Sequence, residues 1–169
     1  MNDIEITEIK SDQIDRYKMF LAVGLVHDEE NFRISPHDDL NAPFPTKDKV
    51  DSFTLGAYSE NQLAGVVSFM RDGGDREKLR HKGILFRMYV SKDFRGKGIG
   101  KKLIVKLLER VMQIDDIEQI NLTVIANNNQ AKKLYEQFGF ITFSAESNAI
   151  KWKGKYFTED QMTLKLKNH

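Results

Sequence analysis

The sequence predicts one α/β domain built on a mixed, largely antiparallel central sheet of about seven strands flanked by helices. Three observations carry that reading. Short apolar or alternating stretches, at residues 4–9, 53–57, 63–69, 84–90, 117–125, 140–143 and 162–166, have strand character. Stretches with a period near 3.6, at 12–25, 101–112 and 129–138, fall between them. Residues 84–125 form a strand-helix-strand run, which requires a right-handed crossover and a parallel pair, whereas strands joined by tight turns pair antiparallel.

The elements follow in order. Ile4, Ile6 and Ile9 alternate with Glu5, Thr7 and Glu8, a strand with one wet face. Ser11 or Asp12 is placed to cap a helix that carries Ile14, Tyr17, Met19 or Phe20, Leu21 and Leu25. Residues 26–49 then lose all periodicity; they hold the three prolines and two acidic clusters, Asp28-Glu29-Glu30 and Asp38-Asp39. So long an irregular segment within a compact domain is either decoration or a binding loop. Phe53 to Ala57 and Leu63 to Phe69 flank Glu60-Asn61 as a hairpin. Ile84 to Val90 is almost continuously apolar, as in a strand covered on both faces.

Next comes a helix with Ile99, Leu103, Leu107 and Val111 on one face and Lys102, Lys106, Glu109 and Arg110 toward water. Ile117 to Ile125 follows as a strand, then Ala131, Leu134, Tyr135 and Phe138 mark a helix ended by Gly139. The chain closes on two strands, with Trp152 either beneath their hairpin, the favoured reading, or lining a cleft. With 169 residues and no second zone of composition, 1–169 is expected to be a single domain.

Composition removes several function classes. There is no cysteine, hence no thiol nucleophile and no disulfide framework, and the four histidines (27, 37, 81 and 169) form no ligand-spaced cluster, so no metal is expected. A formal net charge of +1 gives no global pull toward nucleic acid. No stretch is long and apolar enough to span a membrane, and the start of the chain lacks the basic and apolar regions of a secretory signal; a soluble cytoplasmic protein is expected.

The stretch richest in chemistry is Arg95-Gly96-Lys97-Gly98-Ile99-Gly100-Lys101-Lys102, between the apolar strand and the helix. The first N–H groups of a helix have no intrahelical partner and sit at the positive end of its dipole. Glycines let an anion approach the main chain, and Arg95, Lys97, Lys101 and Lys102 add charge around it, so the stretch reads as a phosphate cradle. The competing reading is a plain connection whose glycines serve only turn geometry. It is neither a nucleotide-triphosphate loop, which needs G-x-x-x-x-G-K-S/T, nor a dinucleotide fingerprint, since Leu103 stands where the third glycine belongs.

Arg95 to Gly100 resembles the Q/R-x-x-G-x-G/A pattern of the GCN5-related N-acetyltransferase (GNAT) superfamily. A second stretch, Val124-Ile125-Ala126-Asn127-Asn128-Asn129-Gln130-Ala131-Lys132-Lys133-Leu134-Tyr135-Glu136-Gln137-Phe138-Gly139-Phe140, is similar to that family's V-x-x-x-N-x-x-A-x-x-L-Y-x-x-x-G-F. The resemblance covers most of residues 50–166 and implies an N-acetyltransferase using acetyl-coenzyme A as cosubstrate. It implies a splayed parallel strand pair forming the acyl-coenzyme A cleft, with the main chain of Met88, Tyr89 and Val90 along the pantetheine arm. Gly96, Gly98, Ile99 and Gly100 would take the pyrophosphate, Asn128 the arm, and Tyr135 would give a proton to the leaving thiolate. Residues 26–49 would border the acceptor, with Asp28, Glu29, Glu30, Asp38 and Asp39 attracting a cationic amine and Phe32 and Phe44 forming an apolar wall.

The family's usual strand glutamate is missing, because Ile84 to Val90 holds Arg87 and no carboxylate. The base is left open among Glu29, Glu30, His81, Glu159 or a water chain. A small-molecule amine is favoured over a peptide amine, and family members often form homodimers. The alternative function is a noncatalytic acyl-coenzyme A sensor.

Overall fold

The computed structural model describes residues 3–74 and 76–166; His169, among the histidines considered above, lies outside them. A single seven-stranded sheet runs in the order β1-β2-β3-β4-β5-β7-β6. Its strands are β1 Ile4–Ile9, β2 Ser52–Ser59, β3 Gln62–Arg71, β4 Lys82–Val90, β5 Gln119–Ile125, β6 Ile141–Trp152 and β7 Lys155–Lys165. The helices are α1 Ile14–His27, α2 Pro36–Leu40, α3 Ile99–Val111 and α4 Asn129–Gln137. Every neighbouring pair is antiparallel except β4 and β5, the two ends of the strand-helix-strand run.

Local chemistry explains the joints. Between β2 and β3, Glu60 and Asn61 both take left-handed backbone angles, φ 49° and 66°, the geometry whose twist suits a tight hairpin. The strand-to-helix joint after β1 differs from expectation: a short 3₁₀ turn over Ser11–Gln13 precedes α1, and Gln13 stands at its N-cap. Ser11 is engaged elsewhere, its hydroxyl donating to Asp48 at 2.5 Å and its amide to the same carboxylate at 3.1 Å. At the end of α4 the C-cap is Phe138, and Gly139 follows it.

Two cores sandwich the sheet. On one face Ile99, Leu103, Ile104, Leu107 and Val111 of α3 pack on Phe53, Leu55, Val67, Phe69, Leu85 and Leu122, together with Tyr135 and Phe140. On the other, Tyr17, Leu21 and Leu25 of α1 cover Leu63, Val66 and Tyr89. Adjacent residues of β3, Val66 and Val67, thus feed opposite cores, as alternation along a strand requires. Truncating one of the fully buried leucines to alanine would cost roughly 2–5 kcal/mol.

Two expectations need amending. The irregular segment 26–49 is more ordered than its sequence suggests. It holds the last two residues of α1, a 3₁₀ turn over Glu29–Asn31, and α2 with Ser35 and Asp38 capping each other reciprocally at 3.1 and 2.9 Å. Five residues are too few to establish a hydrophobic period, so α2 is silent in the pattern. Arg110, expected toward water, instead donates to Glu8 at 2.6 Å and lies 3.8 Å over the Phe53 ring.

Candidate active site

The sheet opens between β4 and β5. The two strands pair only at Lys82↔Gln119, Gly83↔Ile120 and Ile84↔Asn121, although they continue to Val90 and Ile125. The cause lies on the other side of β4: two steps along β3, Val66 to Ser68, face three along β4, Phe86 to Tyr89. That surplus residue is a β-bulge, with Arg87 at φ +52°, and a bulge bends its strand and increases local twist. β4 bends away from β5 and leaves its far edge without a strand partner. A cleft of about 830 Å³ occupies the gap.

One wall of the cleft is the start of α3. Gly98 is the N-cap, with φ +74°, and Gly96 has φ +77°. No side chain caps the helix, and its first internal bond runs from the Lys102 amide to the Gly98 carbonyl at 3.0 Å. The amides before Lys102 are therefore left for another acceptor. A Cβ at Gly96 or Gly98 would meet no atom within 4 Å; these glycines satisfy the left-handed backbone and keep the approach bare. Gly100 has a different purpose. A Cβ there would lie 3.0 Å from Leu134 and 3.2 Å from Met88, so its absence lets the first turn of α3 settle on β4 and α4.

The basic residues divide. Lys101 lines the cleft. Lys97 is not on the cleft wall and holds its ammonium 4.9 Å over the Phe94 ring. Arg95 reaches the cleft but is committed to the protein, pairing with Asp28 at 2.9 Å and donating from Nε to the Val90 carbonyl at 3.1 Å. It thereby fastens the cradle to the end of α1. The Tyr89 hydroxyl meets the same Asp28 at 3.4 Å, and its ring packs between Phe20 and Phe32 with Gly24 beneath.

α4 supplies the opposite wall. Asn128 is its N-cap, the side-chain carbonyl accepting from the Ala131 amide at 3.3 Å, which leaves the NH₂ group available. Tyr135 is 6% exposed, with its ring edge-on to Phe140 at 5.8 Å. Its hydroxyl has no protein hydrogen-bond partner and is not among the enclosed, unpartnered polar atoms of the described residues. The oxygen therefore opens onto the cleft that Tyr135 lines. Burial pushes its pKa well above the ordinary tyrosine range, so the phenol holds its proton at neutral pH.

Strand alternation places a carboxylate on the other face of the sheet. Val124 packs with α3 and α4, so its neighbour Ile125 points away from them. Glu159 of β7 lies directly across from Ile125 and shares that face, while Asp160, across from Val124, turns toward α4 and pairs with Lys132 at 2.5 Å. Glu159 and Tyr135 thus reach one cleft from opposite faces. Glu159 is 2% exposed and its salt bridge is to Arg33 Nε at 2.9 Å, from a side chain itself 67% exposed. Burial raises the Glu159 pKa, Arg33 opposes that shift, and Glu146 on β6 adds to it.

The expected site residues Met88, Tyr89, Val90, Arg95, Gly96, Gly98, Ile99, Gly100, Lys101, Asn128 and Tyr135 all line this cleft; Lys97 does not. The acidic residues expected to draw a cationic amine are occupied. Asp28 pairs with Arg95, Glu29 with Lys153 at 2.9 Å, Glu30 with Lys155 at 3.9 Å and Asp39 with Arg87 at 3.7 Å, and Asp38 caps α2. Phe32 lines the cleft, whereas Phe44 packs on Tyr17 beneath α1. Of the candidate bases, Glu159 reaches the cleft and Glu29, Glu30 and His81 do not. Arg33 gives no signal in the sequence, where it is one arginine in an irregular loop. Among the described residues no group of His, Asp or Glu could hold a metal ion, and no helix is long and apolar enough to cross a membrane.

Comparison with known proteins converges on one family. The profile described as "Acetyltransferase (GNAT) family" matches residues 21–140, a span that includes both the glycine-rich cradle and α4. The spermine/spermidine N(1)-acetyltransferase of Bacillus subtilis is 27% identical over 103 residues, covering 57% of this chain and 68% of that protein. Among solved structures, the acetyltransferase of GNAT family from Streptococcus pneumoniae has a TM-score of 0.82 at 20% identity, covering 97% of this chain and 100% of that one. A Salmonella typhimurium protein solved with its cofactor acetyl-CoA has a TM-score of 0.76 at 15% identity, covering 99% and 96%. At such identities the two structures share the fold.

Proposed function

This chain belongs to the acetyltransferase (GNAT) family, whose chemistry is acetyl-CoA-dependent acetyl transfer, and from that premise we propose that it moves the acetyl group directly to a primary amine of a small molecule within a ternary complex. The observation that carries the reading is the continuity of one cleft: it joins the uncapped start of α3, the free edge of β4 and the Tyr135 hydroxyl. Bare amides at Gly96, Gly98, Ile99 and Gly100 suit a diphosphate, with Lys101 beside them. The β5-side edge of β4 at Met88, Tyr89 and Val90, which has no neighbouring strand although Arg95 holds the Val90 carbonyl, suits an amide-rich arm bound as a strand is bound, and Asn128 can add its NH₂ group. Acetyl-CoA supplies an activated thioester; the protein supplies position, a backbone donor for the carbonyl and a proton for the sulfur.

Tyr135 is the proton donor. Its phenol is un-ionised, faces the cleft and has no competing protein acceptor. Proton transfer by a positioned side chain contributes roughly 10²- to 10⁴-fold to a rate. No thiol is present to form an acyl-enzyme, which agrees with direct attack.

For the acceptor, Asp28, Asn31, Phe32, Arg33 and Ile34, with Glu159 of β7, border the cleft. The Bacillus subtilis relative is named for spermine and spermidine, and an aliphatic polyamine is the acceptor class we favour over a peptide amine. The test is release of coenzyme A thiol from acetyl-CoA with a panel of polyamines, amino acids, aminoglycosides and peptides. Turnover confined to small amines is expected. Thiol release with none of them, from protein that binds acetyl-CoA, would favour a sensor over an enzyme.

A further inference from the structure

We propose that Glu159 is the group that receives the acceptor's ammonium and takes its proton, and that Arg33 stands in for that ammonium until the acceptor displaces it. The inference rests on the acetyltransferase reading above and deepens it, assigning the base and the charge of the acceptor. A carboxylate 2% exposed, reaching the cleft opposite Tyr135, is expensive to keep charged without a cation. Its ion partner is a guanidinium 67% exposed, on the irregular segment after the 3₁₀ turn. A partner that solvated gives up little on release, whereas the carboxylate loses most of its compensation. The site therefore favours exchange of one cation for another.

The remaining charges support the assignment. Among the described residues the other carboxylate on the cleft wall is Asp28, which is held by Arg95 at 2.9 Å, while Glu29, Glu30, Asp38 and Asp39 lie off that wall. Facing Glu159 are Arg33 from the loop and Glu146 from the adjoining strand β6, while Asp160 turns to Lys132 on the other side of the sheet. Burial pushes the Glu159 pKa up, Arg33 pulls it down and Glu146 adds to the rise.

The proton inventory closes with two groups on two faces. The ammonium gives one proton to Glu159. The freed lone pair forms the C–N bond, the C–S bond breaks, and the sulfur takes the Tyr135 proton. The second amine proton restores the phenol, and Glu159 releases its proton to water. One proton is set free for each acetyl group transferred.

The test uses the full chain and three variants, Glu159→Gln, Glu159→Asp and Arg33→Ala, with spermidine as probe. Acetyl-CoA affinity and melting temperature report on the donor site and the fold. With these unchanged, Glu159→Gln should lower kcat/KM about 100-fold or more and abolish the acid limb of its pH profile, with Glu159→Asp in between. Arg33→Ala should move that limb to higher pH and tighten spermidine, because its removal uncovers the carboxylate. Calorimetry of spermidine with coenzyme A-loaded protein reads the same contact without turnover: weakening of tenfold or more by Glu159→Gln and tightening by Arg33→Ala are expected. Equal binding in all the proteins, no binding to the wild type, or an unaltered pH profile in Glu159→Gln would overturn the proposal. Failure of acetyl-CoA to bind would instead strike the acetyltransferase reading.

Discussion

Replacing Gly98 separates the two things it does, holding a left-handed turn and leaving room for an anion. At φ +74°, with no atom within 4 Å of the place a methyl would take, Gly98→Ala carries backbone strain alone, about 1–2 kcal/mol for an L residue in that region. For a chain of this size that corresponds to a melting temperature lower by roughly 2–4 °C per kcal/mol. Gly98→Asp adds a charge. With the carboxylate roughly 6 Å from a diphosphate bearing about two negative charges, and an effective dielectric constant of about 40, repulsion comes to roughly 2.8 kcal/mol, near 100-fold in affinity. Calorimetric titration of coenzyme A at low and high salt should show that loss for Gly98→Asp, shrinking as salt screens it, and a much smaller loss for Gly98→Ala. If folded Gly98→Asp binds coenzyme A within twofold of wild type at low salt, the anion does not sit at the start of α3.

Three further outcomes follow from other parts of the molecule. Tyr135→Phe should slow single-turnover acetyl transfer by roughly 10²-fold while leaving coenzyme A affinity within about twofold, because the proposed general acid is lost and the ring is kept; an unchanged quench-flow rate would refute the proposed donor role. Gly24→Ala adds a better helix former, worth up to about 1 kcal/mol, yet its methyl would lie 2.5 Å from the Tyr89 ring. The chain should lose stability by about 1–3 kcal/mol from overpacking, seen as a lower urea midpoint, and a raised midpoint would contradict that packing. The Asp116 pKa is held below its ordinary value by its hydrogen bond from buried Arg71. Its stabilisation is therefore complete above the unfolded value near ~3.9 and is lost as pH falls through the lower folded value. Urea melts should show Asp116→Asn less stable than wild type at pH 7, with the gap narrowing at acid pH; a constant gap would mean that the charge is not involved.

The strand and helix pattern was readable because it depends on periodicity, and the α3 stripe from Ile99 to Val111 buries as its spacing requires. The glycine-rich turn and the helix start after it were readable for a similar reason: both are local. What escaped depends on contacts distant along the chain. Ser11 looks like a cap until Asp48, 37 positions away, takes its hydroxyl. Arg95 looks like a phosphate ligand, yet its guanidinium meets Asp28 from the end of α1. The acidic loop looks like a cation trap because its partners, Lys153 and Lys155, come from the β6–β7 hairpin. Glu159 was one carboxylate among several until the β5–β7 register set it across from Ile125 and fixed its face.

The bulge in β4 has an implication for how such a protein can change. The aperture through the wall of strands comes from how many residues β4 uses to traverse a distance that β3 covers with one fewer. Exchanging side chains leaves that arithmetic intact, so Phe32, Arg33 or Glu159 on the cleft wall can be replaced while the opening persists. Excising Arg87 would instead let the neighbouring strands zip onward past Ile84 and seal the passage. The lining of the cleft and the existence of its opening thus depend on different parts of the chain.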